Sequence, residues 1–199
     1  MNIEKIKIIL IGGFCEVFEA LLENNYEIEG IVEPAECSVF NYLGNDEYYL
    51  LNGNKDLPIL IVPDKPEIRK RLFNLYDNAS FCISTFIHNK AYVSPTSKVN
   101  QGCFIQRMAH ISSDVSIGKG SRVNAMANIM HHSQIGEFTT IAPNSVILGF
   151  VKVGNNCYVG ANSTILPHVI IEDNVIIGAG SVVTRNIPKN TVVKGVPAK

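Results

Sequence analysis

Residues 123–147 read VNAMANIMHHSQIGEFTTIAPNSVI, and an aliphatic side chain stands at every sixth position of this stretch. The same period runs without a slip from Val93 to Val183, which gives sixteen consecutive positions occupied by Ile or Val. These positions are Val93, Val99, Ile105, Ile111, Ile117, Val123, Ile129, Ile135, Ile141, Ile147, Val153, Val159, Ile165, Ile171, Ile177 and Val183. Self-similarity at a fixed period is the sequence signature of a repeat architecture.

The six-residue unit has a constant internal order. A small or compact residue stands four places after the aliphatic one, as at Ala127 and Ser133, and Gly often follows the aliphatic residue directly, as at Gly136. This order predicts a short strand and a tight turn, with the β-branched side chain inside a narrow core and Gly or Asn, such as Asn155 and Asn156, at the corner. Three units close one triangular coil, so the stretch up to Pro188 predicts a parallel β-helix of about five coils.

The N-terminal sequence has a different pattern, which predicts a small α/β domain with a parallel sheet. Buried-type strands alternate with amphipathic helical spacing, and a Gly pair follows the first strand. The predicted strands are 6–11, 28–32 and 57–62, and the predicted helices are 14–24 and 66–76. Residues 38–56 carry no clear signal. We therefore expect two domains, an α/β domain over residues 1–84 and a β-helix over residues 85–199.

Composition excludes several classes of protein. The net charge of −1 provides no electrostatic basis for nucleic-acid binding. No apolar run reaches the ~20 residues of a membrane-spanning helix, and the apolar run at 6–11 is too short for a secretory signal, so we expect neither a secretory signal nor a membrane partner. The five cysteines lack metal-ligand spacing. Two of them, Cys103 and Cys157, fall at the compact position of the repeat, which indicates buried thiols in a reducing cytoplasm.

Three motifs resemble those of one family. They are Gly178-Ala179-Gly180-Ser181-Val182-Val183-Thr184-Arg185-Asn186-Ile187-Pro188 with Gly195-Val196-Pro197-Ala198-Lys199, then Ile87-His88-Asn89-Lys90-Ala91-Tyr92-Val93-Ser94, and Val62-Pro63-Asp64 with Arg69. The chain is similar to hexapeptide-repeat sugar acyltransferases of the sialic acid O-acetyltransferase and bacillosamine or perosamine N-acetyltransferase type. The resemblance implies a left-handed β-helix, an acyl-CoA co-substrate, a homotrimer with active sites between two β-helices, and a Rossmann-like N-terminal domain for a nucleotide-linked amino sugar.

The resemblance also implies a catalytic pair. His131 falls on the family's general base, and His132 falls where the family carries an acidic residue. Without that carboxylate, His131 lacks a partner that would favour its charged form. His131 lies two places after the inward Ile129, so we expect it on an outward-facing part of the coil.

The remaining site residues are implied in the same way. The acyl-CoA positions are Thr140, Gly149, Ala161 and Ala179, with Thr140 in place of a histidine and so with room for a longer or hydroxylated acyl chain. The substrate-binding positions are Gly12, Gly13, Phe14 and Glu33, where Glu33 accepts from the N–H of a base.

Three functions compete at this point. The first is N-acyl transfer to a 4-amino-4,6-dideoxyhexose linked to dTDP, UDP or GDP, for surface glycan biosynthesis; the second is O-acetylation of a free sugar such as sialic acid. The third is a carbonic-anhydrase-like zinc site, which needs three converging histidines. The five histidines have no common phase in the repeat, so no metal is expected.

Overall fold

The computed structural model describes residues 5–13, 15–36 and 40–199. Its N-terminal part is a three-stranded parallel sheet in the order β2–β1–β3 with three helices. The elements are β1 (Ile6–Ile11), α1 (Cys15–Glu23), β2 (Tyr26–Val32), α2 (Asp46–Asn52), β3 (Ile59–Ile61) and α3 (Pro66–Asn78). The predicted strands and helices are all present. The unassigned segment holds α2, which the Asn45 side chain caps by accepting from the Tyr48 N–H at 2.9 Å.

The rest of the chain forms a three-sided prism of two-residue strands. Face 1 contains β4 (Phe86–Ile87), β7 (Phe104–Ile105), β10 (Arg122–Val123), β13 (Thr140–Ile141), β16 (Tyr158–Val159), β19 (Ile176–Ile177) and β21 (Val192–Val193). Face 2 contains β5 (Tyr92–Val93), β8 (His110–Ile111), β11 (Asn128–Ile129), β14 (Val146–Ile147), β17 (Thr164–Ile165) and β20 (Val182–Val183). Face 3 contains β6 (Lys98–Val99), β9 (Ser116–Ile117), β12 (Gln134–Ile135), β15 (Lys152–Val153) and β18 (Ile170–Ile171).

Stacking of the coils fixes which residues are neighbours. Each strand pairs in parallel with the strand one coil away, so that Val123 pairs with Ile141, eighteen residues on. The predicted left-handed parallel β-helix is confirmed. It is longer at both ends than the repeat suggests, because β4 precedes Val93 and β21 follows Pro188.

The aliphatic residues form the core of the prism, as predicted. From Ile105 to Val183 every sixth side chain is at most 3% exposed. The compact residues share this core, and their polar atoms are satisfied: the Ser133 hydroxyl donates to the Leu148 carbonyl at 2.9 Å. Cys157 is also fully buried, and burial raises the pKa of its thiol to about 11.

The corners differ from the prediction that the glycines after the aliphatic residues supply the corner conformation. From Gly102 to Gly180 the left-handed backbone falls on the third residue after each aliphatic one, for example Asn156 at φ +54° and His132 at φ +60°. The glycines that directly follow the aliphatic residues answer a different need. A Cβ on Gly136 would lie 2.5 Å from the carbonyl carbon of Gly154 in the next coil. Gly is therefore required there by the close approach of two backbones.

The inward and outward residues of one strand provide a stability test. Ile171 is 1% exposed and Ile170, its neighbour in β18, is 43% exposed. Ile171→Ala leaves a cavity in the prism and should lower the free energy of unfolding by about 2–5 kcal/mol. Ile170→Ala, the matched control, should cost less than about 1 kcal/mol. Urea unfolding measures both, and equal losses would contradict the assigned orientation of the strand.

Candidate active site

Arg69 of α3 joins the N-terminal part to face 1. Its guanidinium is 1% exposed and donates to the carbonyls of Gly120 at 2.5 Å and Phe138 at 3.0 Å, and to Thr140 Oγ1 at 2.9 Å. It also donates to the Asp64 carbonyl at 2.6 Å. Burial lowers the pKa of Arg69 to about 10, so the group remains cationic at neutral pH.

Arg122 makes a second buried link. It donates to the Val62 carbonyl at 2.6 Å and to Asn124 Oδ1 at 2.8 Å, and its Nε lies 3.4 Å from Asp64 Oδ1. Its guanidinium carbon lies 4.9 Å from the centroid of the Phe104 ring. The Val62–Asp64 motif and Arg69 thus fix how the two parts of the chain are joined. Arg122 was not predicted from the sequence. It directly precedes the inward Val123, and every other strand of the prism also has an outward residue directly before its inward aliphatic residue, so this position does not distinguish Arg122.

Thr140 belongs to this junction. It is fully buried, accepts from Arg69 and donates to the Asp64 carbonyl at 2.8 Å. The structure therefore contradicts the prediction that the Thr140 side chain leaves room for an acyl chain, because the N-terminal part already covers it.

The glycine turn lies at the carboxyl end of β1. Gly12 takes φ +89° and packs against Pro63 after β3, and the Gly13 N–H donates to the Glu33 carboxylate at the end of β2. Three of the four predicted substrate residues therefore meet where the order β2–β1–β3 changes direction, the place at which open α/β sheets bind ligands. The fourth, Phe14, lies outside the described residues.

A cleft of about 350 Å³ separates α1 from the prism. Glu16 and Glu19 form one wall, and Gln106 and Arg107 lie on the other. Gln106 is 6% exposed; its Oε1 accepts from the Ala125 N–H at 3.1 Å, and its Nε2 has no partner within the described part of the chain. The cleft was not predicted, since its two walls are about ninety residues apart in the sequence.

The predicted histidine pair lies on the edge between faces 2 and 3, which we call edge 2–3. Both rings are exposed, as expected, and the two Nδ1 atoms are 3.2 Å apart. A Cβ on Gly149, one coil further on, would lie 2.8 Å from Cε1 of His131. Gly149 therefore makes room for the His131 ring, a role that the sequence did not indicate.

A column of side chains runs along edge 2–3 at eighteen-residue intervals. Its members are Asp114, His132, Phe150 and His168. His132 stacks on Phe150 with ring centroids 4.8 Å apart, and Phe150 stacks on His168 at 5.0 Å. His132 and His168 thus share a phase, whereas the five histidines as a set do not. The described residues contain no group of three His, Cys, Asp or Glu side chains that could hold a metal ion.

The other predicted acyl-CoA residues lie elsewhere. Ala161 and Ala179 are on the edge between faces 1 and 2, which we call edge 1–2, in line with Arg107, Ala125 and Pro143 of the cleft. One chain therefore does not bring Ala161 and Ala179 next to His131. Their role in binding acyl-CoA stays a prediction.

Comparison with known proteins agrees with this architecture. The family model "bacterial transferase hexapeptide (six repeats)" matches residues 114–149, 132–167 and 150–185. No curated protein gives a significant match. None of the helices in the described ranges is long and apolar enough to cross a membrane.

Solved structures match nearly the whole chain. PerB from Caulobacter crescentus, in complex with CoA and GDP-perosamine, is 28% identical with a TM-score of 0.91, over 97% of this chain and 96% of that one. The acetyltransferase domain of PglB from Neisseria gonorrhoeae, in complex with acetyl coenzyme A, is 23% identical with a TM-score of 0.91, over 98% of each chain. WeeI from Acinetobacter baumannii is 18% identical with a TM-score of 0.77, over 96% of this chain and 98% of that one.

The chain thus carries bacterial transferase hexapeptide repeats over residues 114–185, and the prediction that it is an acyltransferase is confirmed. Its fold is shared with a mutant of perosamine N-acetyltransferase from Caulobacter crescentus, which is 25% identical with a TM-score of 0.92 over 97% of this chain and 95% of that one.

The buried position of Thr140 is testable. Thr140→Val removes the hydroxyl that Arg69 and the Asp64 carbonyl share, and it should lower the free energy of unfolding by about 1–3 kcal/mol. The preference among acyl-CoA donors should not change, since the side chain is covered. Chemical denaturation and acyl-CoA profiling measure the two effects, with the exposed Thr184→Val as control. A changed acyl preference at unchanged stability would contradict this assignment.

Proposed function

We propose that the protein transfers an acyl group from acyl-CoA to the amine of a nucleotide-linked 4-amino-4,6-dideoxyhexose, with His131 as general base. The observation that carries the proposal is that the cleft lies between the first turn of α1, which follows the glycine turn, and the small residues Ala125 and Pro143 of edge 1–2. The resemblance to PerB, crystallised with CoA and GDP-perosamine, favours N-acylation over O-acetylation of a free sugar.

The glycine turn is suited to the nucleotide. It precedes the N-terminus of α1, where backbone N–H groups and the helix dipole favour an anion. Arg107, half exposed in the cleft, adds a positive charge near the path of a diphosphate, although its ion pair with Glu23 lowers the pKa of that carboxyl and holds the side chain. Glu33 already accepts from Gly13, so its second oxygen is the one available to a base.

The proposed site needs a second copy of the chain. Face 1 is covered in part by the N-terminal sheet, and face 3 carries Lys98 and Lys152. The outward strand positions of face 2, all within the described region, carry no Lys, Arg, Asp or Glu. They are Tyr92, His110, Asn128, Val146, Thr164 and Val182. An uncharged face of this kind is suited to burial against copies of itself.

A threefold axis parallel to the prism and facing face 2 would complete the site. Edge 1–2 of one copy would then meet edge 2–3 of the next. Ala125 and His131 belong to the same coil, so His131 of the second copy would reach the level of the cleft. The acyl-CoA arm would run along Ala161 and Ala179, where small side chains let its amides approach the backbone.

The chemistry is acyl transfer to a neutral amine. The amine nitrogen attacks the thioester carbonyl, its proton passes to Nε2 of His131, the carbon–sulfur bond breaks, and CoA leaves as the thiolate. That proton can then return to the sulfur. A correctly placed base contributes about 10²–10⁴-fold to such a step. The free thiols of the described cysteines fit a reducing cytoplasm, where we place the reaction and its role in surface glycan synthesis.

The base is tested by replacement. His131→Asn should lower kcat/KM about 10²–10⁴-fold with acetyl-CoA and GDP-, UDP- or dTDP-linked 4-amino sugars. Release of CoA thiol measures the rate, and Gln134→Ala, exposed on the same coil, is the control. A loss below about tenfold would remove the base role, and the absence of turnover with every nucleotide sugar would remove the proposed substrate class.

The proposed trimer is tested by introducing a charge on face 2. Analytical ultracentrifugation should find three chains of 21.9 kDa in one particle. Val146→Glu on face 2 should dissociate the trimer and abolish activity, because a carboxylate would be buried without a partner. Lys152→Glu on face 3 of the same coil should leave the trimer intact. A fully active monomer would contradict the two-copy site.

A further inference from the structure

We propose that Asp114 is a positioning residue that sets the tautomer of His131 through His132. The proposal rests on the proposed function, since it explains how His131 acts as a base without an adjacent carboxylate. Asp114 lies one coil before His132 in the column on edge 2–3, and its Oδ2 is 3.7 Å from Nε2 of His132. The other nitrogen of that ring, Nδ1, is 3.2 Å from Nδ1 of His131. The three side chains therefore form one line from carboxylate to base.

The proton positions follow from the donor and acceptor capacity of each group. An ionised carboxylate only accepts, so Nε2 of His132 carries its proton when it faces Asp114. A neutral imidazole has one N–H, so Nδ1 of His132 is then an acceptor. The short Nδ1 to Nδ1 contact therefore requires His131 to donate from Nδ1. The lone pair of His131 is left on Nε2, the atom that must take the proton of the amine.

Without Asp114 the same contact would have no preferred direction. His132 could donate from Nδ1 to His131, and Nε2 of His131 would then carry a proton and could not act as a base. Within the described residues, Nε2 of His131 has no hydrogen-bond partner of its own that would choose between the two arrangements. Asp114 is the only carboxylate that the described structure places against the pair.

Neighbouring residues restrict the orientation of His132 and Asp114. The His132 ring stacks on Phe150 with an interplanar angle of 21°, which limits its rotation. The Asp114 backbone N–H donates to Thr96 Oγ1 at 2.9 Å, and its φ of +57° is a conformation that Asp tolerates better than most residues. With His132 neutral, the contact of 3.7 Å sets the Nε2–H dipole against the charge of Asp114, and burial of edge 2–3 in the trimer would shield it from water.

The tautomers can be observed directly, without any substrate. Two-bond ¹⁵N–¹H correlation spectra of the perdeuterated, ¹⁵N-histidine-labelled full-length protein, at a pH where both rings are neutral, distinguish Nδ1–H from Nε2–H. The wild type should show His131 as Nδ1–H and His132 as Nε2–H. In Asp114→Asn, which keeps the size and tolerates the same φ, the Nδ1–H form of His131 should fall at least about twofold. Glu137→Gln, an exposed carboxylate on the same prism, is the matched control.

Kinetics provide the second arm, with acetyl-CoA as the probe. Asp114→Asn should lower kcat by about tenfold with little change in KM, and Asp114→Glu should restore most of it. In a His132→Asn background the Asp114→Asn change should not lower kcat further, because His132 no longer connects Asp114 to His131. His131 as Nε2–H in the wild type, an unchanged spectrum in Asp114→Asn, or additive losses would each overturn the proposal. A correct tautomer in a protein without acyltransferase activity would instead reject the proposed function alone.

Discussion

The parallel pairing of backbones between coils is the constraint from which the rest of the molecule follows. Each coil offers its backbone N–H and C=O groups to the coils above and below, because a buried backbone group without a partner is unfavourable. The pairing holds residues eighteen apart directly over one another. Every surface of the prism is therefore a set of columns, and the chemistry of an edge is decided by what stands in one column.

The junction between the N-terminal part and face 1 depends on two buried cations. Arg69 and Arg122 are each about 98% buried or more. Four backbone carbonyls accept from Arg69, and the Val62 carbonyl and the Asn124 side chain accept from Arg122. Burial of a charge is unfavourable unless it is paired or hydrogen-bonded. Removing the partners of either arginine would therefore leave a buried charge unsatisfied and destabilise the junction. It also places the glycine turn and the cleft on the side of edge 1–2, which is where the small residues of the prism lie.

Much of the fold could be predicted from the sequence, because a six-residue period has only one good structural explanation. The inward positions, the βαβ order and the exposure of His131 all follow from local patterns. The contacts of Thr140 and Asp114 could not be predicted in the same way. Thr140 has the phase of an outward residue, and only the docked N-terminal part makes that position internal. Asp114 reaches His132 across one full coil, and nothing in the local sequence marks it as a partner.

The left-handed corner residues have an evolutionary consequence. A deletion of six residues before Ala161 would keep every corner conformation and every aliphatic position in phase, and the prism would still close. Ala161 and Ala179 would nevertheless move round to the edge between faces 3 and 1, away from the cleft. Insertions and deletions that preserve the alignment of the edges are therefore quantised in whole turns of the solenoid. An enzyme of this design can lengthen the edge along which acyl-CoA binds only by duplicating eighteen residues at once.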